Sequence, residues 1–194
     1  MKYENIVIET DRLTLRPPRR EDFDGYAAMY CDEETARFIG GHVPRAAAWR
    51  KFLTISGAWM IQGFSMFSVI ERASGAFVGQ LGPWFPEGWP GTEVGWAIRR
   101  EFWGRGYACE GATAAIDWAF ANLGWSEVIH CIDDGNLASQ ALARRLGSSV
   151  RGPVAMPAPY EDVKAQVWGQ SRAQWLAGRA GAELEHAGGT DAGA

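Results

Sequence analysis

The stretch that decides the fold is Thr92 to Gly124, TEVGWAIRREFWGRGYACEGATAAIDWAFANLG. Its beginning, 92–98, alternates bulky and small residues with a period of two, which predicts a β-strand. Its end, 107–123, repeats apolar residues at steps of three and four, which predicts an amphipathic helix that ends at Gly124. The glycines of the WGRGYA segment between them predict a tight turn in which the helix begins.

This strand, turn and helix together predict an anion site. The first N–H groups of a helix have no partner within the helix, and they lie at the positive end of its dipole. A helix that begins in a glycine turn therefore suits a phosphate group. Arg99, Arg100 and Arg105 add positive charge around the turn. The alternative is a structural connection with solvated arginines, and the glycines alone do not decide between the two.

Two common phosphate-binding patterns fit the turn poorly. The loop of nucleotide hydrolases requires Gly-Lys-Ser/Thr, and no lysine occurs between Lys51 and Lys164. The dinucleotide pattern G-x-G-x-x-G/A is matched at Gly104 and Gly106, but Cys109 occupies its last small position. Only one strand–helix–strand unit is visible, so an oxidoreductase with a dinucleotide cofactor is the weaker hypothesis.

The segment WGRGYA resembles the acetyl-CoA pyrophosphate loop of the GNAT acetyltransferases, whose usual pattern is Gln/Arg-x-x-Gly-x-Gly/Ala. Gly106 and Ala108 match its two small positions, and Trp103 replaces Gln or Arg as it tends to do in the RimJ/RimL-like branch. A second segment, NLASQALARRLG from Asn136 to Gly147, resembles the family signature N-x-x-S-x-x-x-x-x-x-L-G. The two matches occur in the family's order, and the resemblance covers about residues 7 to 176.

The resemblance implies both the fold and the cofactor site. It predicts an α/β (α+β) GNAT fold, with a mixed, mostly antiparallel central sheet flanked by helices and with two central strands splayed apart. Acetyl-CoA, the co-substrate, is expected to lie in the splay with its pyrophosphate on the turn, and no metal is expected. The cofactor-binding residues predicted in this way are Ala97, Ile98, Arg99, Arg100, Gly104, Arg105, Gly106, Tyr107, Ala108, Asn136 and Ser139.

Glu93 is the first predicted catalytic residue. Strand alternation places it with Gly95 and Ala97 on the small face, which is expected to leave space for the ligand. Some GNAT members carry a catalytic Glu ten residues before the first position of the pyrophosphate loop, as Glu93 precedes Trp103. Such a carboxylate would accept a proton from the acceptor amine, directly or through a water. The alternative is an exposed charge at the end of a strand.

Ser139 is the second predicted catalytic residue. Many GNAT enzymes use a tyrosine seven residues after the signature Asn to protonate the departing thiolate, and Ala143 stands there in this chain. Ser139, or a water near Asn136, is expected to take that role. Cys109 and His130 are expected to be packing residues.

The resemblance implies an N-acetyltransferase that transfers acetyl from acetyl-CoA to a primary amine by direct attack. The expected acceptor is a peptide or protein N-terminus, a polyamine or an antibiotic-like amine. A non-catalytic acetyl-CoA sensor is the alternative, because the usual tyrosine is missing and Ser148 stands where Phe often follows the glycine. The aromatic loop 83–91 either lines the binding cleft or covers the edge of the core.

Composition bounds the remaining possibilities. With 194 residues and 47% hydrophobic residues, the chain predicts one domain over 1–177, and the apolar-poor segment 178–194 predicts a flexible tail. A net charge of −4 with dispersed basic residues argues against nucleic-acid binding. No apolar run approaches the roughly 18 residues of a membrane span, and three scattered cysteines fit a reducing compartment, so a cytoplasmic location without a membrane partner is expected. A homodimer is compatible with these features.

Overall fold

A single mixed sheet organises the protein. The structure, a computed structural model, describes residues 5–188, and within them the sheet has eight strands in the order β1-β2-β3-β4-β5-β6-β8-β7. Every neighbouring pair is antiparallel except β5 and β6, which are parallel. The strands are β1 (Ile8–Glu9), β2 (Leu13–Arg16), β3 (Phe67–Glu71), β4 (Phe77–Trp84), β5 (Glu93–Ile98), β6 (Glu127–Asp133), β7 (Ser149–Val154) and β8 (Ala165–Ser171).

Helices cover both faces of this sheet. Helix α1 packs against α3 and β4 on one face, whereas α4 packs on β4 and β5 and α5 packs on β6 and β8 on the other face. Helix α4 approaches the sheet so closely that a Cβ on Gly111 would lie 2.6 Å from the side chain of Leu81. The helices are α1 (Phe23–Cys31), α2 (Glu33–Ala36), α3 (Arg45–Gln62), α4 (Tyr107–Asn122), α5 (Leu137–Arg145) and α6 (Arg172–Gly188).

The two central strands separate soon after they meet. Strands β5 and β6 pair in register only at Glu93 and Ile129, whereas β6 pairs with β8 along its whole length. The strands therefore share one short contact and then diverge toward the carboxyl end of β5. This arrangement confirms the predicted α/β fold, with its mostly antiparallel sheet and its splayed central pair.

The C-terminal helix α6 extends into the segment that the sequence predicts as a tail. It is anchored by Trp175, which is buried and donates from its indole to Asp117 Oδ1 at 2.6 Å, and by an ion pair of 3.3 Å between Arg179 and the same Asp117. Residues 178–188, the first part of the predicted tail, continue this helix. Residues 189–194 lie outside the described residues.

Candidate active site

The glycine turn has the backbone that the sequence predicts. Gly104 and Gly106 have φ angles of 73° and 79°, in the left-handed region that favours glycine. Helix α4 begins directly afterwards, at Tyr107, and Gly106 is its N-cap residue, so no side chain caps the first turn. The leading N–H groups of α4 therefore remain available for an anionic ligand.

The cations near the turn differ from the predicted set. Arg105 is half exposed, with Nη1 3.8 Å from a Glu71 oxygen. Arg12, which the sequence did not indicate, reaches the turn from the start of β2 and donates to the Arg105 carbonyl at 2.8 Å. It also pairs with Glu110 in the first turn of α4, at 2.6 Å. No local sequence pattern could have found Arg12, because the sheet brings it there from a distant part of the chain.

Arg99 and Arg100 are held by other groups. The Arg100 guanidinium forms ion pairs with Asp32 at 2.8 Å and with Glu34 at 3.1 Å, both at the start of α2. Arg99 pairs with Glu101, and its guanidinium donates to the Phe77 carbonyl at 3.0 Å. The side chains of these two predicted cofactor residues therefore point to acidic or carbonyl partners within the protein.

One edge of β5 is open to the cleft. The Arg99 N–H donates to the Val78 carbonyl at 2.9 Å, and the Ile129 N–H donates to the Thr92 carbonyl at 3.0 Å. Because main-chain groups of alternate residues in a strand point to opposite neighbours, the odd-numbered residues of β5 face β4 and the even-numbered ones face β6. Beyond this contact, the main chains of Trp96 and Ile98 face the cleft, and that of Ala97 faces β4. The Ile98 carbonyl accepts there from the Trp103 indole at 2.6 Å.

The room in the cleft comes from the separation of the strands and not from small side chains, contrary to the expectation for Gly95 and Ala97. A Cβ on Gly95 would lie 2.9 Å from the methyl group of Met66, and Ala97 packs among residues of α1 and α3. Side chains stand perpendicular to a sheet, whereas a ligand between two strands lies in its plane. The small face of β5 is therefore covered by protein.

Ser139 and Asn136 lie at one side of this cleft, at the start of α5. The Asn136 side chain accepts from the Ser139 N–H at 3.1 Å, so it caps the helix. The Ser139 hydroxyl oxygen accepts from the indole of Trp96 at 3.1 Å, which ties α5 to the open edge of β5. Ala143, at the position of the missing tyrosine, is fully buried.

Glu93 lies where the two strands begin to separate. It is a buried carboxylate, not the exposed strand-end charge of the alternative reading. Its Oε1 accepts from the Cys131 N–H at 3.0 Å, and its Oε2 accepts from the indole of Trp89. Burial raises the pKa of Glu93 to about 7, although hydrogen bonds from the Cys131 N–H, the Trp89 indole and the Cys131 side chain act to lower it. A group with this pKa exchanges a proton readily near neutral pH.

The aromatic loop lies against Glu93. Besides the indole bond to Glu93, the Trp89 ring meets those of Trp84 and Tyr160 edge to face, with centroids 6.4 and 6.1 Å apart. The loop that contains Trp89 therefore covers the Glu93 face of the sheet near the cleft. Sequence alternation predicted the face of Glu93 but could not predict which side chains would contact the carboxylate.

His130 is a packed core residue, as the sequence indicates. Its Nδ1 lies 2.7 Å from the Val94 carbonyl and its Nε2 lies 3.1 Å from the Ser148 hydroxyl. The Ser148 hydroxyl also accepts from Gln170 Nε2 at 3.0 Å. The serine that replaces the usual phenylalanine therefore completes a buried hydrogen-bond network with His130.

The two predicted catalytic residues lie on opposite faces of the sheet. Alternation along β5 puts Glu93 on the face of α1 and α3 and Trp96 on the face of α4 and α5. Ser139 is on the second face, because its hydroxyl bonds the Trp96 indole. A group held in the cleft between β5 and β6 would thus meet a proton acceptor on one side and a hydroxyl on the other.

The residues present fit acetyl-CoA. The uncapped start of α4 and the nearby Arg105 suit a pyrophosphate, and the main chain of Trp96 on the open edge of β5 offers an N–H and a carbonyl to an amide-containing chain. Residues 12–149, more than half of the chain, match the family model described as the acetyltransferase (GNAT) domain. The chain therefore belongs to the GNAT acetyltransferase family, and its class is that of the acetyl-CoA-dependent acetyltransferases. The family match gives no support to the dinucleotide hypothesis.

Two curated relatives illustrate the likeness in sequence. The chain is 24% identical over 164 residues to the uncharacterized N-acetyltransferase p20 of Bacillus licheniformis, and the match covers 83% of this chain and 90% of p20. It is 34% identical over 87 residues to the uncharacterized protein YkkB of Bacillus subtilis. That second match covers 44% of this chain and 51% of YkkB, so it spans about half the length of that relative.

Two solved structures illustrate the likeness in fold. The acetyltransferase from Agrobacterium tumefaciens C58 has a TM-score of 0.76 and 27% identity, with 89% of this chain and 98% of that chain covered. The ribosomal-protein-S5-alanine acetyltransferase from Vibrio fischeri has a TM-score of 0.69 and 14% identity, with 88% and 99% covered, which shows a shared fold alone. Among residues 5–188, no helix is both long and apolar enough to cross a bilayer.

Proposed function

We propose that the protein is an N-acetyltransferase that transfers acetyl from acetyl-CoA to a primary amine by direct attack. The observation that carries the proposal is the position of Glu93. It is a buried carboxylate with a pKa near 7, and it lies at the point where the cleft opens between β5 and β6. A base of this strength suits an amine acceptor, which must lose a proton before it can attack.

Two hydrogen bonds orient the Glu93 carboxylate. The Cys131 N–H binds one oxygen and the Trp89 indole binds the other, so the group is fixed before the acceptor arrives. A carboxylate has about four lone-pair sites, so one remains to take the proton from the acceptor nitrogen, directly or through a water. Because burial raises the pKa of Glu93 to about 7, the carboxylate can take up a proton near neutral pH.

The donor side of the site is built from main-chain groups. Acetyl-CoA, when bound, supplies an activated acetyl group as a thioester. The leading N–H groups of α4 and the Arg105 guanidinium would hold its pyrophosphate. The Trp96 N–H, on the open edge of β5, is the group that would bind the thioester oxygen as negative charge develops there. Positioning of the two reactants then accounts for much of the rate.

Ser139 is the group proposed to protonate the departing thiolate. Its oxygen accepts from the Trp96 indole, so its own hydrogen is directed elsewhere and remains available to donate. Tyr107 and Ala108 would contribute main-chain N–H groups at the start of α4, and Asn136 would act indirectly by capping the helix that carries Ser139.

For the acceptor, we propose a peptide or protein N-terminus first and a small amine, such as a polyamine or an antibiotic, second. The WGRGYA form of the turn supports the RimJ/RimL-like branch. The fold of the ribosomal-protein-S5-alanine acetyltransferase is similar, although its 14% identity carries no more than that. A cytoplasmic location and a homodimer stay predictions of the sequence.

The test measures thiol release from acetyl-CoA against a panel of peptides, polyamines, aminoglycosides and amino acids, with calorimetry of CoA binding in parallel. The proposal would be supported by turnover on one acceptor class that is strongly reduced in Ser139→Ala or Glu93→Gln protein, provided that the variant still binds CoA. Tight CoA binding without turnover on any acceptor would favour the sensor alternative. A protein that binds no CoA would contradict the proposal.

A further inference from the structure

We propose that His130 is a positioning residue for the cofactor, because together with Glu93 it holds β5 and β6 apart. The inference rests on the proposed function only in that the cleft between these strands receives the acyl donor. His130 belongs to neither signature segment, and it is 1% exposed, so it does not act as a surface ligand. Its role follows from the hydrogen bonds at the point where the strands separate.

The ladder between the two strands stops after one rung, although its next partners are present. At the paired residues Glu93 and Ile129, the Ile129 N–H donates to the Thr92 carbonyl at 3.0 Å. In a continuing parallel ladder, the next rung would run from the Cys131 N–H to the Val94 carbonyl. Both of these groups are instead bound by side chains.

Each strand supplies the side chain that satisfies the other. Glu93 of β5 accepts from the Cys131 N–H of β6 at 3.0 Å, and the imidazole of His130 of β6 binds the Val94 carbonyl of β5 at 2.7 Å. A buried main-chain group without a partner costs about 1–3 kcal/mol. Because both groups already have partners, this cost no longer drives the two strands together.

The surrounding network fixes the imidazole in the form that can do this. The Val94 carbonyl can only accept, so Nδ1 is the donor of the neutral ring and Nε2 is its acceptor; Ser148 Oγ, which accepts from Gln170 Nε2 at 3.0 Å, lies 3.1 Å from Nε2 and donates to it. The proton of the neutral ring then resides on Nδ1 and is donated to the Val94 carbonyl. Burial lowers the pKa of His130 to about 4, so this neutral form is present at neutral pH.

Separation of the strands is what a ligand in the plane of the sheet requires. Paired strands lie about 4.8 Å apart, which leaves no space for a chain between them. If the Cys131 N–H donated to the Val94 carbonyl, the pairing of β5 and β6 would continue by one rung. The main chain of Trp96 would then no longer be open to the cleft. His130 and Glu93 thus keep open the site that the amide-containing pantetheine arm of acetyl-CoA would use.

The experiment compares CoA binding by calorimetry with thermal unfolding in wild type, His130→Asn, His130→Leu and Ser148→Ala. Asn and Leu are similar in size, and both are smaller than His, but only Asn keeps a donor near the position of Nδ1. Ser148→Ala removes the bond to Nε2 and leaves the Val94 contact in place. Glu93→Leu releases the Cys131 N–H on the other side of the cleft and serves if His130→Leu does not fold.

The expected result is that His130→Leu weakens CoA binding roughly tenfold, equivalent to about 1.4 kcal/mol, whereas His130→Asn and Ser148→Ala stay within about threefold of wild type. Glu93→Leu should also weaken CoA binding. The loss of a negative charge alone would strengthen the binding of an anionic ligand, so a weaker affinity cannot come from the charge. If Asn and Leu at 130 lower the melting temperature alike and leave CoA affinity unchanged, His130 is a packing residue only and the proposal is wrong. A wild-type protein that binds no CoA would overturn the proposed function as well.

Discussion

The Glu93 carboxylate accepts a hydrogen bond of 3.0 Å from the Cys131 N–H, across the point at which β5 and β6 separate. A single side chain therefore stands both at the start of the cleft and at the position proposed for the catalytic base. The same contact bears on the Cys131 thiol, because burial, with the neighbouring Glu93 charge, raises its pKa well above the usual range. The thiol stays protonated at neutral pH and is a poor nucleophile there.

The rate should depend on the ionisation of Glu93. With its pKa raised to about 7, kcat/KM is expected to rise with pH through that value as the carboxylate loses its proton. The measurement is a pH–rate profile on the acceptor that the panel identifies. In Glu93→Gln this limb should disappear and the rate should fall about a hundredfold or more. An unchanged limb in that variant would assign the titration to another group.

Trp89→Phe should move the rise of kcat/KM with pH to higher pH. The indole bond lowers the pKa of Glu93, so its removal lets burial raise that pKa further. Trp84→Phe is the matched control, because Trp84 contacts the ring of Trp89 but is not among the groups that bond the carboxylate. Equal shifts in both variants would show that the loop as a whole, and not the indole bond, sets the proton affinity. Trp89→Phe also tests the role of Glu93 without a change to the carboxylate itself. Glu93→Gln, by contrast, places an amide donor against two N–H groups.

Stability should depend on pH through Glu93 with a definite sign. The folded pKa of about 7 exceeds the ordinary value of 4.5, so the stabilising contribution is complete below pH 4.5 and is lost as pH rises through 7. His130 acts in the opposite sense, because its folded pKa of about 4 is below 6.5, and its contribution is lost as pH falls through 4. Relative to Glu93→Gln, the wild-type free energy of unfolding should decline between pH 4.5 and 7, by at most roughly 1.4 kcal/mol per pH unit. Urea titrations of both proteins across this range measure the difference, and parallel curves would contradict the raised pKa.

Gly106→Ala should weaken CoA binding as well as folding. Alanine at φ 79° is strained by about 1–2 kcal/mol, and its Cβ would lie 3.4 Å from Arg12 Nη2 at the proposed phosphate site. Gly124→Ala is the control, because Gly124 has a similar φ of 66°, has open space around its Cβ position and ends α4 at the far side. Both variants should melt at lower temperature, but only Gly106→Ala should lose CoA affinity. Equal affinities would argue against a ligand at this turn.

Arg105 and Arg100 should differ in their effect on CoA affinity. Arg105→Gln should weaken binding several-fold, an effect that decreases with added salt, because the guanidinium is half exposed beside the turn. Arg100→Gln should have a smaller effect, since that side chain is paired with Asp32 and Glu34. Calorimetry at two salt concentrations measures both. A larger loss for Arg100 would show that its ion pairs exchange for the ligand.

The fold could be predicted because its signals are local. One strand, one turn and one helix are predicted by the alternation of 92–98, the glycines of the turn and the helical repeat after them. The two family signatures, which occur in the expected order, predict the arrangement of the remaining elements. The sequence did not indicate a helix in 178–188, because the anchor of α6, Trp175 on Asp117, joins segments far apart in the chain. Hydrophobic content alone predicted a tail there.

The site could be predicted only in part. Alternation gave the face of Glu93, but the contacts of Trp89 and Cys131 with it depend on a loop conformation and on a neighbouring strand. Likewise, the sequence placed His130 in the core without indicating that its imidazole replaces a rung of the ladder. Partners that come from distant segments have no signature in a single sequence.

The placement of Glu93 and Ser139 on opposite faces of the sheet has a kinetic consequence. With the roles proposed for these two residues, the acceptor nitrogen would lie on the Glu93 side of the cleft and the departing thiol on the Ser139 side. Neither product then has to pass the other in order to leave. Initial rates measured against both substrates should give intersecting double-reciprocal lines, as expected for a ternary complex, and product inhibition should reveal no compulsory order of release.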